Sequence, residues 1–310
     1  MSRSLADLLL KPGAFPQYVA VGFHDPQNQV EVRLNETRDV TRNNVVTSLR
    51  PFTVGIMFRE SERIAADRLT FHERDSNHLL GSIDLRFSRA IPLPGHQFAI
   101  FETSHSENFC VSKPVLGAHY LYQRWRTLQH QRRNPYNFRM TFSDVLCNFT
   151  FYIAPRPVVL VSVEFEGSSN LFPMDLIGPT DSPWFSMALR STSPAVKLMR
   201  QSRRMALASI PFRLKSQIYE LGKHHKLTSI DWDALPIATV PSPSFGLRVP
   251  KDALRIREVR VEQFHEVGSH IVFITSIERE TLTGLHEPQM FHLAGTYWRY
   301  LHRHNKPPIE

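Results

Sequence analysis

An internal repeat is the feature of this sequence that most restricts its fold. Five short segments of the first half recur in the second half in the same order. The paired segments are residues 5–9 and 142–146, 19–23 and 159–163, 50–59 and 182–190, 95–102 and 268–275, and 116–120 and 293–297. Any single match is within chance, but a shared order of several matches is typical of a duplicated structural unit.

The length of the chain fits two copies of one unit. Its 310 residues, with 42% hydrophobic and 21% charged content, can form two cores of about 150 residues each. We place the boundary after Pro135, in the polar segment RRNPY of residues 132–136, which gives domains of residues 1–135 and 136–310. A joint this short predicts that the two halves pack against each other.

Short β-branched and aromatic runs predict a mostly β fold, with an antiparallel barrel or sandwich in each half and a few helices. The runs are residues 18–23, 30–34, 52–58, 81–87 and 97–102, and then 158–165, 185–189, 205–210, 256–264 and 270–277. Helical spacing is seen in residues 193–201 and 214–221. Both lie in a stretch of about 80 residues that has a counterpart of only about 35 residues in the first half.

The positive charge of the chain is dispersed along it. The formal net charge is +8 and the isoelectric point is about 9.7, but no basic helix, helix-turn-helix pattern, zinc motif or aromatic RNA-binding signature accompanies it. We interpret the charge as attraction for phosphate-bearing small molecules, with nucleic-acid binding as a minor alternative.

The sequence has two cysteines, no secretory signal pattern and no apolar run of membrane-spanning length. We therefore expect a cytoplasmic protein without membrane association.

One segment of the second half combines the groups that hold a phosphate. Residues 190–194 (RSTSP) run from the end of a predicted strand into a predicted helix, with Lys197 in the first turn. Three hydroxyls, the unpaired amides of a helix N-terminus and two cations would meet there, which favours an anion. The plainer alternative is an ordinary Ser-Pro helix cap.

Several motifs of the second half follow one another in a characteristic order. They are Pro-Arg-Pro at 155–157, Asn170 after the first hairpin, a Pro-containing turn and a strand ending in RSTS at 182–193, Gly-Ser-His at 268–270, and Gly-Thr-Tyr at 295–297. Together they resemble the flavin reductase-like family, which has an FMN-binding split-barrel fold. The resemblance covers residues 144–300. It implies a split barrel with a helical insertion for residues 136–310, and a degenerate split barrel lacking the phosphate-binding segment for residues 1–135.

The resemblance also implies a set of ligand-binding residues for FMN or FAD. Ser191, Thr192, Ser193 and Lys197 would hold the flavin phosphate, with Arg190 nearby. Asn170, Pro173, Met174 and Asp175 would line the isoalloxazine edge. His270 would face the nicotinamide of NAD(P)H, and His270 and Asp175 are the candidate catalytic residues. Phe245 would cover the flavin or the substrate. Plainer alternatives are a turn histidine without a ligand at 270 and a barrel-closing side chain at 245.

The sequence departs from the family pattern at two positions. Ser269 stands where the family has an acidic residue, and Asp175 stands where a serine is usual beside the flavin. A carboxylate beside the flavin would disfavour its anionic reduced form by like-charge repulsion. These departures weaken the prediction of ordinary NAD(P)H-driven flavin reduction more than they weaken the prediction of the fold.

The first half carries different residues at the equivalent place. Its strand ends in Arg59-Glu-Ser-Glu62, and two carboxylates would repel a phosphate. We therefore predict no flavin in the first half. The resemblance to split-barrel reductases implies a homodimer-like arrangement with the cofactor at the interface. The chain would then form a pseudo-dimer within itself, with one active site. Residues 41–45 or His96 would reach toward that site, and a further homodimer is left open.

Three functions follow from these observations. The first is a flavin-dependent oxidoreductase of the flavin reductase type, in which NAD(P)H supplies a hydride to the flavin. The second is a repurposed split-barrel enzyme that acts on a specialised organic substrate, with or without flavin. The third is a non-catalytic flavin-binding protein.

No metal site is predicted, because His224 and His225 lack further ligands at suitable spacing; we interpret them as a solvated helix end. Residues 297–300 are expected to form a terminal strand, and residues 302–304 a tail.

Overall fold

The computed structural model describes residues 16–25, 29–133, 140–179, 183–306 and 308. Its strands are β1 (Tyr18–Phe23), β2 (Val30–Leu34), β3 (Arg38–Asp39), β4 (Asn44–Leu49), β5 (Phe52–Arg59), β6 (Arg68–Glu73), β7 (Leu79–Leu93), β8 (His96–Asn108), β9 (Arg156–Pro157), β10 (Val159–Phe165), β11 (Ser168–Met174), β12 (Ile177–Pro179), β13 (Trp184–Arg190), β14 (Arg204–Ser209), β15 (Thr239–Pro241), β16 (Arg248–Pro250), β17 (Arg255–Val267), β18 (His270–Leu282) and β19 (Gln289–Ala294). The α-helices are α1 (Lys113–Arg133), α2 (Phe142–Phe151), α3 (Pro194–Ser202), α4 (Lys215–Glu220) and α5 (Gly295–Arg303). Two 3₁₀ helices, Phe212–Leu214 and Leu221–Lys226, flank α4.

Two seven-stranded antiparallel sheets dominate the molecule and confirm the predicted mostly β fold. The first sheet has the strand order β3-β2-β6-β7-β8-β5-β4, and the second has the order β11-β10-β14-β17-β18-β13-β12. These orders are the same once the strands of each sheet are numbered within their own half, with the small β15–β16 hairpin as an insertion in the second. A duplication produces such an identity, although the duplication itself stays a prediction. The domain boundary after Pro135 lies outside the described residues.

The shared strand order corrects part of the sequence alignment. Segments 50–59 and 182–190 fall on β5 and β13, and segments 95–102 and 268–275 fall on β8 and β18, which are equivalent pairs. Segment 19–23, however, forms β1, whereas the strand equivalent to β10 is β2. Segment 116–120 lies in α1, whereas segment 293–297 joins β19 to α5. The match of residues 5–9 falls outside the described residues.

The two halves exchange elements rather than standing side by side. β1 pairs with β19 from the other end of the chain, and β9 pairs with the opposite edge of β19. Helix α2 belongs by sequence to the second half but packs on the first sheet, where the ring of Phe151 meets the rings of Phe52 and Phe71 edge to face. Asp144 of α2 also accepts a hydrogen bond from the backbone N–H of Phe52 at 2.7 Å. These contacts fix the relative position of the halves.

Helix α3 covers one face of the second sheet. Ala195, Val196, Leu198 and Met199 are buried in one apolar cluster with side chains of β10, β13, β17 and β18. The spacing of these four residues gives the helix one apolar side, which is the reason it packs there. The 3₁₀ helices, α4 and β16 contribute to a separate cluster with Leu160, Ala206 and Ala208. The predicted helical segments 193–201 and 214–221 are thereby confirmed.

The C-terminal segment is helical where a strand was expected. Residues 297–300 lie in α5, with Tyr297, Tyr300 and Leu301 buried on one side. Their spacing of three and four residues suits a helix, whereas their aromatic character had suggested a strand. Helices α1 and α2 were not predicted, although Thr141 and Asp144 form a capping box at the start of α2. No helix of the described residues is long and apolar enough to cross a membrane.

Candidate functional site

The predicted site centres on a pair of residues at the end of two strands. Arg190 of β13 lies directly opposite His270 of β18 in the antiparallel register. The His270 side chain is buried, with 1% of the residue exposed. Burial, aided by the positive charge of Arg190, lowers the pKa of His270 to about 4. The imidazole is therefore neutral at pH 7, because the buried ring does not tolerate the charged form.

The first half closes over this pair. The backbone N–H of Ser269 donates to the carbonyl of Arg50 at 2.8 Å and to the hydroxyl oxygen of Ser48 at 3.1 Å. The backbone N–H of Leu49 points at Nδ1 of His270, at 3.5 Å. Since that N–H can only donate, Nδ1 accepts and the ring proton lies on Nε2. Gly268, with φ of +51°, permits this close approach, because a Cβ there would overlap the carbonyl oxygen of Arg50.

The predicted phosphate segment lies at the start of α3. Ser193 is the N-cap residue, but its hydroxyl makes no capping bond and instead donates to the carbonyl of His225 at 2.9 Å. The hydroxyl of Ser191 donates to the carbonyl of Ser269 at 3.3 Å. Thr192 and Lys197 are exposed. Of the three predicted hydroxyls, two are thus committed as donors to backbone carbonyls, and the first turn of α3 has no side-chain cap.

The residues predicted to line the flavin edge are buried or half-buried. Asn170 is fully buried, and its amide donates to the carbonyls of His224 and Leu227 at 3.1 and 2.9 Å. It therefore fastens the 3₁₀ helix Leu221–Lys226 to β11. Met174 is buried in the cluster that α3 covers. Pro173 is half-buried beside His225, to whose ring its carbonyl is hydrogen-bonded. The structure thus brings Pro173 near the start of α3 and commits Asn170 to packing.

Asp175 lies in a cluster that the sequence did not indicate. Its carboxylate accepts hydrogen bonds from Nδ1 of His292 at 2.7 Å and from the hydroxyl of Tyr152 at 3.0 Å. On the other side of the imidazole, Nε2 meets the hydroxyl of Tyr219 at 3.2 Å. Burial alone would raise the pKa of Asp175, but the bond and charge of His292 hold it below the usual value. The result is a hydrogen-bonded chain from an internal carboxylate to the exposed Tyr219.

Phe245 lies in a different cluster from the one around His270. It packs with Leu247 and Val249 in the group of apolar residues that includes α4. Its backbone N–H donates to the carboxylate of Glu258, which also accepts from the hydroxyl of Ser242 at 2.7 Å. The buried Glu258 thereby holds the 242–247 loop in place. The structure supports the structural alternative for Phe245, and its role as a substrate cover stays a prediction.

The first-half residues predicted to reach the site are found in two places. Thr41, Arg42 and Asn44 line a cavity between the halves. His96 instead lies opposite Arg59 in the first sheet, at the position equivalent to His270. The turn Arg59-Glu-Ser-Glu62, with its two carboxylates, follows the end of β5. The carboxylate of Glu62 accepts a hydrogen bond from the N–H of Arg59 at 2.8 Å. The first sheet thus has the strand pair but not the helix start.

The paired histidines of the 3₁₀ helix are not solvated, contrary to our interpretation. His224 is buried and Nδ1 donates to the carbonyl of Leu171 at 2.8 Å. His225 packs on the ring of Phe172, and burial lowers its pKa. No group of three or more potential metal-ligating side chains occurs within the described parts of the chain. The two histidines were predicted to be solvated because they lie at the end of a helical segment. The sequence did not show that the 3₁₀ helix Leu221–Lys226 packs against β11.

Known structures resemble this chain over about half its length. An FMN-binding protein from Thermus thermophilus, with bound p-hydroxybenzaldehyde, is 19% identical over 46% of this chain and 87% of that one, with a TM-score of 0.39. The Streptomyces globisporus NADH:FAD oxidoreductase is 13% identical over 52% and 95%, with a TM-score of 0.44. The styrene monooxygenase flavin reductase from Pseudomonas putida is 19% identical over 46% and 88%, with a TM-score of 0.38.

Sequence comparison adds nothing to these matches, because neither a protein-family model nor a curated protein matches the chain. The identities below 25% and the TM-scores below 0.5 record a partial likeness of fold and leave the activity open. Over about half of its length, the chain is therefore similar in structure to FMN-binding proteins and flavin reductases.

Proposed function

We propose that the second half of the chain binds FMN or FAD at the start of α3, and that the protein is a flavin-dependent oxidoreductase of the flavin reductase type. The carrying observation is the arrangement of the β13 end. Arg190 lies beside the buried His270, and the chain runs directly from it into a helix whose first turn has no side-chain cap. A helix N-terminus without a side-chain cap, beside two cations, favours a phosphate.

The residues at the start of α3 fit a phosphate in a specific way. Because the hydroxyls of Ser191 and Ser193 are already donors to carbonyls, the phosphate would be held by Thr192, the N–H of Ala195 and the cations of Arg190 and Lys197. Pro194 has no N–H, and that of Val196 donates to the carbonyl of Ser193 at 3.0 Å. A bound flavin would supply the hydride chemistry, with NAD(P)H as the donor. His270 would contribute a neutral Nε2–H, since its Nδ1 accepts from within the protein.

The two halves would play unequal roles in this proposal. The second sheet would provide the phosphate contacts, and the first would provide the β4–β5 hairpin that holds Ser269 through Ser48 and Arg50. The chain would therefore act as a pseudo-dimer with one flavin site. Residues 1–135 would be its degenerate split-barrel unit, and residues 136–310 its intact one. A shared strand order in the two sheets supports this proposal.

The absorption spectrum of the purified full-length protein tests the proposal. We expect a flavin spectrum, one flavin released per chain after denaturation, and oxidation of NADH or NADPH. Two flavins per chain would contradict the vacancy of the first half. A colourless protein that takes up neither FMN nor FAD would overturn the proposal, whereas a yellow protein inert to both nicotinamides would leave only flavin binding.

A second candidate function is an enzyme that acts on a specialised organic substrate, with or without flavin. The chain from Asp175 through His292 to Tyr219 favours it, because a carboxylate that orients an imidazole against a hydroxyl is an acid–base arrangement. Burial and the charge of Asp175 raise the pKa of Tyr219, so the phenol keeps its proton at pH 7 and would donate a hydrogen bond to Nε2 of His292. Loss of turnover in Tyr219→Phe, with flavin content unchanged, would favour this candidate.

A further inference from the structure

A cavity between the two halves is separate from the proposed flavin site. Its volume is about 460 Å³, and both halves line it, with Arg42 from the first and Arg156, Arg255 and Arg257 from the second. The wall contains neither Arg190 nor His270. Cavities of this size commonly hold small organic ligands.

Arg156 is the most unusual group of the cavity. It is 5% exposed, and its guanidinium lies 3.9 Å from the centre of the Phe151 ring. Nη2 and Nη1 donate to the side-chain and backbone oxygens of Asn44 at 2.7 and 3.4 Å, while Nε is buried without a hydrogen-bond partner. All these contacts are with neutral groups. The carboxylate of Asp175 acts on Arg156 through its charge but is hydrogen-bonded to His292 and Tyr152. A buried cation without a direct ion pair is costly, so a bound anion would stabilise it.

The other arginines add to the same positive field. Arg255 and Arg257 share the single carboxylate of Glu280, with Nε of Arg255 3.8 Å from it. Burial, and then the positive charges of Arg257 and Arg42, lower the pKa of Arg255. The Nε of Arg255 is also buried without a hydrogen-bond partner. The four arginines outnumber the nearby carboxylates by one, counting Asp25, Asp175 and Glu280.

Part of the remaining wall is apolar. Val159, Ile177, Phe185 and Phe291 line it, and the guanidinium of Arg257 lies 5.4 Å from the centre of the Phe185 ring. Guanidinium groups recognise carboxylates and phosphates through paired N–H donors. An apolar surface beside them would hold the body of an organic molecule. The two surfaces together fit a ligand with an acidic end and an apolar end.

We propose that this cavity binds a small organic oxyanion, with its carboxylate or phosphate ester against Arg156 and Arg255 and its apolar body against Phe185 and Phe291. The site combines residues of β4, β9, β13, β17 and β19, so it exists only when the two halves are packed together. It is a second ligand site, independent of whether a flavin binds at α3.

Calorimetric titration of the full-length protein tests this proposal in phosphate-free buffer of low ionic strength. The probes are phenylacetate, phenyl phosphate and inorganic phosphate. We expect saturable binding of at least one aromatic probe, at least tenfold tighter than inorganic phosphate, because only the aromatic probes reach the apolar wall. The better aromatic probe then identifies the acidic group.

Two arginines of β17 provide the variant and its control. Arg255→Met should raise the dissociation constant of the better probe at least tenfold. Arg260→Met should change it less than twofold, since Arg260 lies outside the cavity wall and pairs with Glu278 at 2.6 Å. A thermal melt confirms that each variant is folded. The proposal is overturned if no probe saturates, if inorganic phosphate binds as tightly as the aromatic probes, or if both variants weaken binding equally.

Discussion

Arg59 lies opposite His96 in the first sheet as Arg190 lies opposite His270 in the second, yet the surroundings of the two pairs differ. His270 is buried under the hairpin that carries Ser48, whereas His96 is half-buried, with its own backbone neighbour Pro94 as a hydrogen-bond partner. The first pair is followed by a turn with Glu60 and Glu62, and the second by a helix. The same strand pair therefore becomes a candidate site only where the opposite half covers it and a helix begins beside it.

The largest expected effect concerns the glycines that begin the two equivalent strands. Gly268 has φ of +51° and no room for a Cβ beside Arg50, whereas Gly95 has φ of +70° and open space around it. Both substitutions to alanine strain the backbone, but only Gly268→Ala also forces the halves apart. We expect Gly268→Ala to lower the free energy of unfolding by about 4 kcal/mol and Gly95→Ala by about 1 kcal/mol. Urea unfolding measures both, and equal losses would contradict the tight contact between the halves.

The next effect is a pH dependence caused by His270. Its pKa is about 4 in the folded protein because of burial and Arg190, against about 6.5 in the unfolded chain. The stability from this residue is complete above pH 6.5 and falls by about 3 kcal/mol as the pH is lowered to 4, because the unfolded chain binds the proton first. We expect His270→Asn to flatten this part of the unfolding profile.

The matched variant for His270 is His96→Asn, which changes the same residue type at the equivalent position of the first sheet. Urea unfolding at several pH values between 4 and 7 should show the flattening in His270→Asn and little change of slope in His96→Asn. If the two variants change the slope equally, burial by the opposite half does not distinguish the two pairs.

A negative charge introduced at the start of α3 tests whether the second half binds a flavin phosphate there and the first half does not. Thr192→Glu introduces into the second half the kind of carboxylate that the first half carries at Glu60 and Glu62. We expect the affinity for FMN or FAD to fall on the order of 100-fold, through loss of a contact and repulsion of the phosphate. Gln201→Glu near the other end of α3 is the control and should retain the flavin. Equal flavin affinity in Thr192→Glu and the unmodified protein would refute the phosphate assignment.

The smallest of these effects concerns the end of β11 and its first-sheet counterpart β3. Asp175→Asn weakens the hydrogen bonds to His292 and Tyr152, and we expect a loss of about 2 kcal/mol at pH 7. Because the folded pKa of Asp175 lies below its ordinary value, its contribution is present above about pH 4 and is lost as the pH falls through the folded pKa. Asp39→Asn, at the exposed end of β3, should cost less than half as much in thermal or urea unfolding.

The sequence by itself determined the local structure of this protein where short-range patterns are strong. Alternation and turn residues placed β5, β8, β13 and β18, and the Ser-Pro start with its apolar spacing placed α3. The terminal aromatic residues were misassigned, because their β propensity outweighed a helical spacing in which Tyr297, Tyr300 and Leu301 share one side. Arg190 and His270 were each predicted at the end of a strand, but their place opposite each other comes from the strand pairing in the structure.

Only the tertiary structure decided which groups become partners across the two halves. The hydrogen bonds from Leu49 to His270 and from Ser269 to Ser48 each join residues 221 positions apart, and the bond from Arg156 to Asn44 joins residues 112 positions apart. Asp175 was assigned to the flavin, but packing of β19 against β1 and β9 brings His292 to it instead. Such pairings depend on which faces are buried against each other, and no local pattern of residues contains that information.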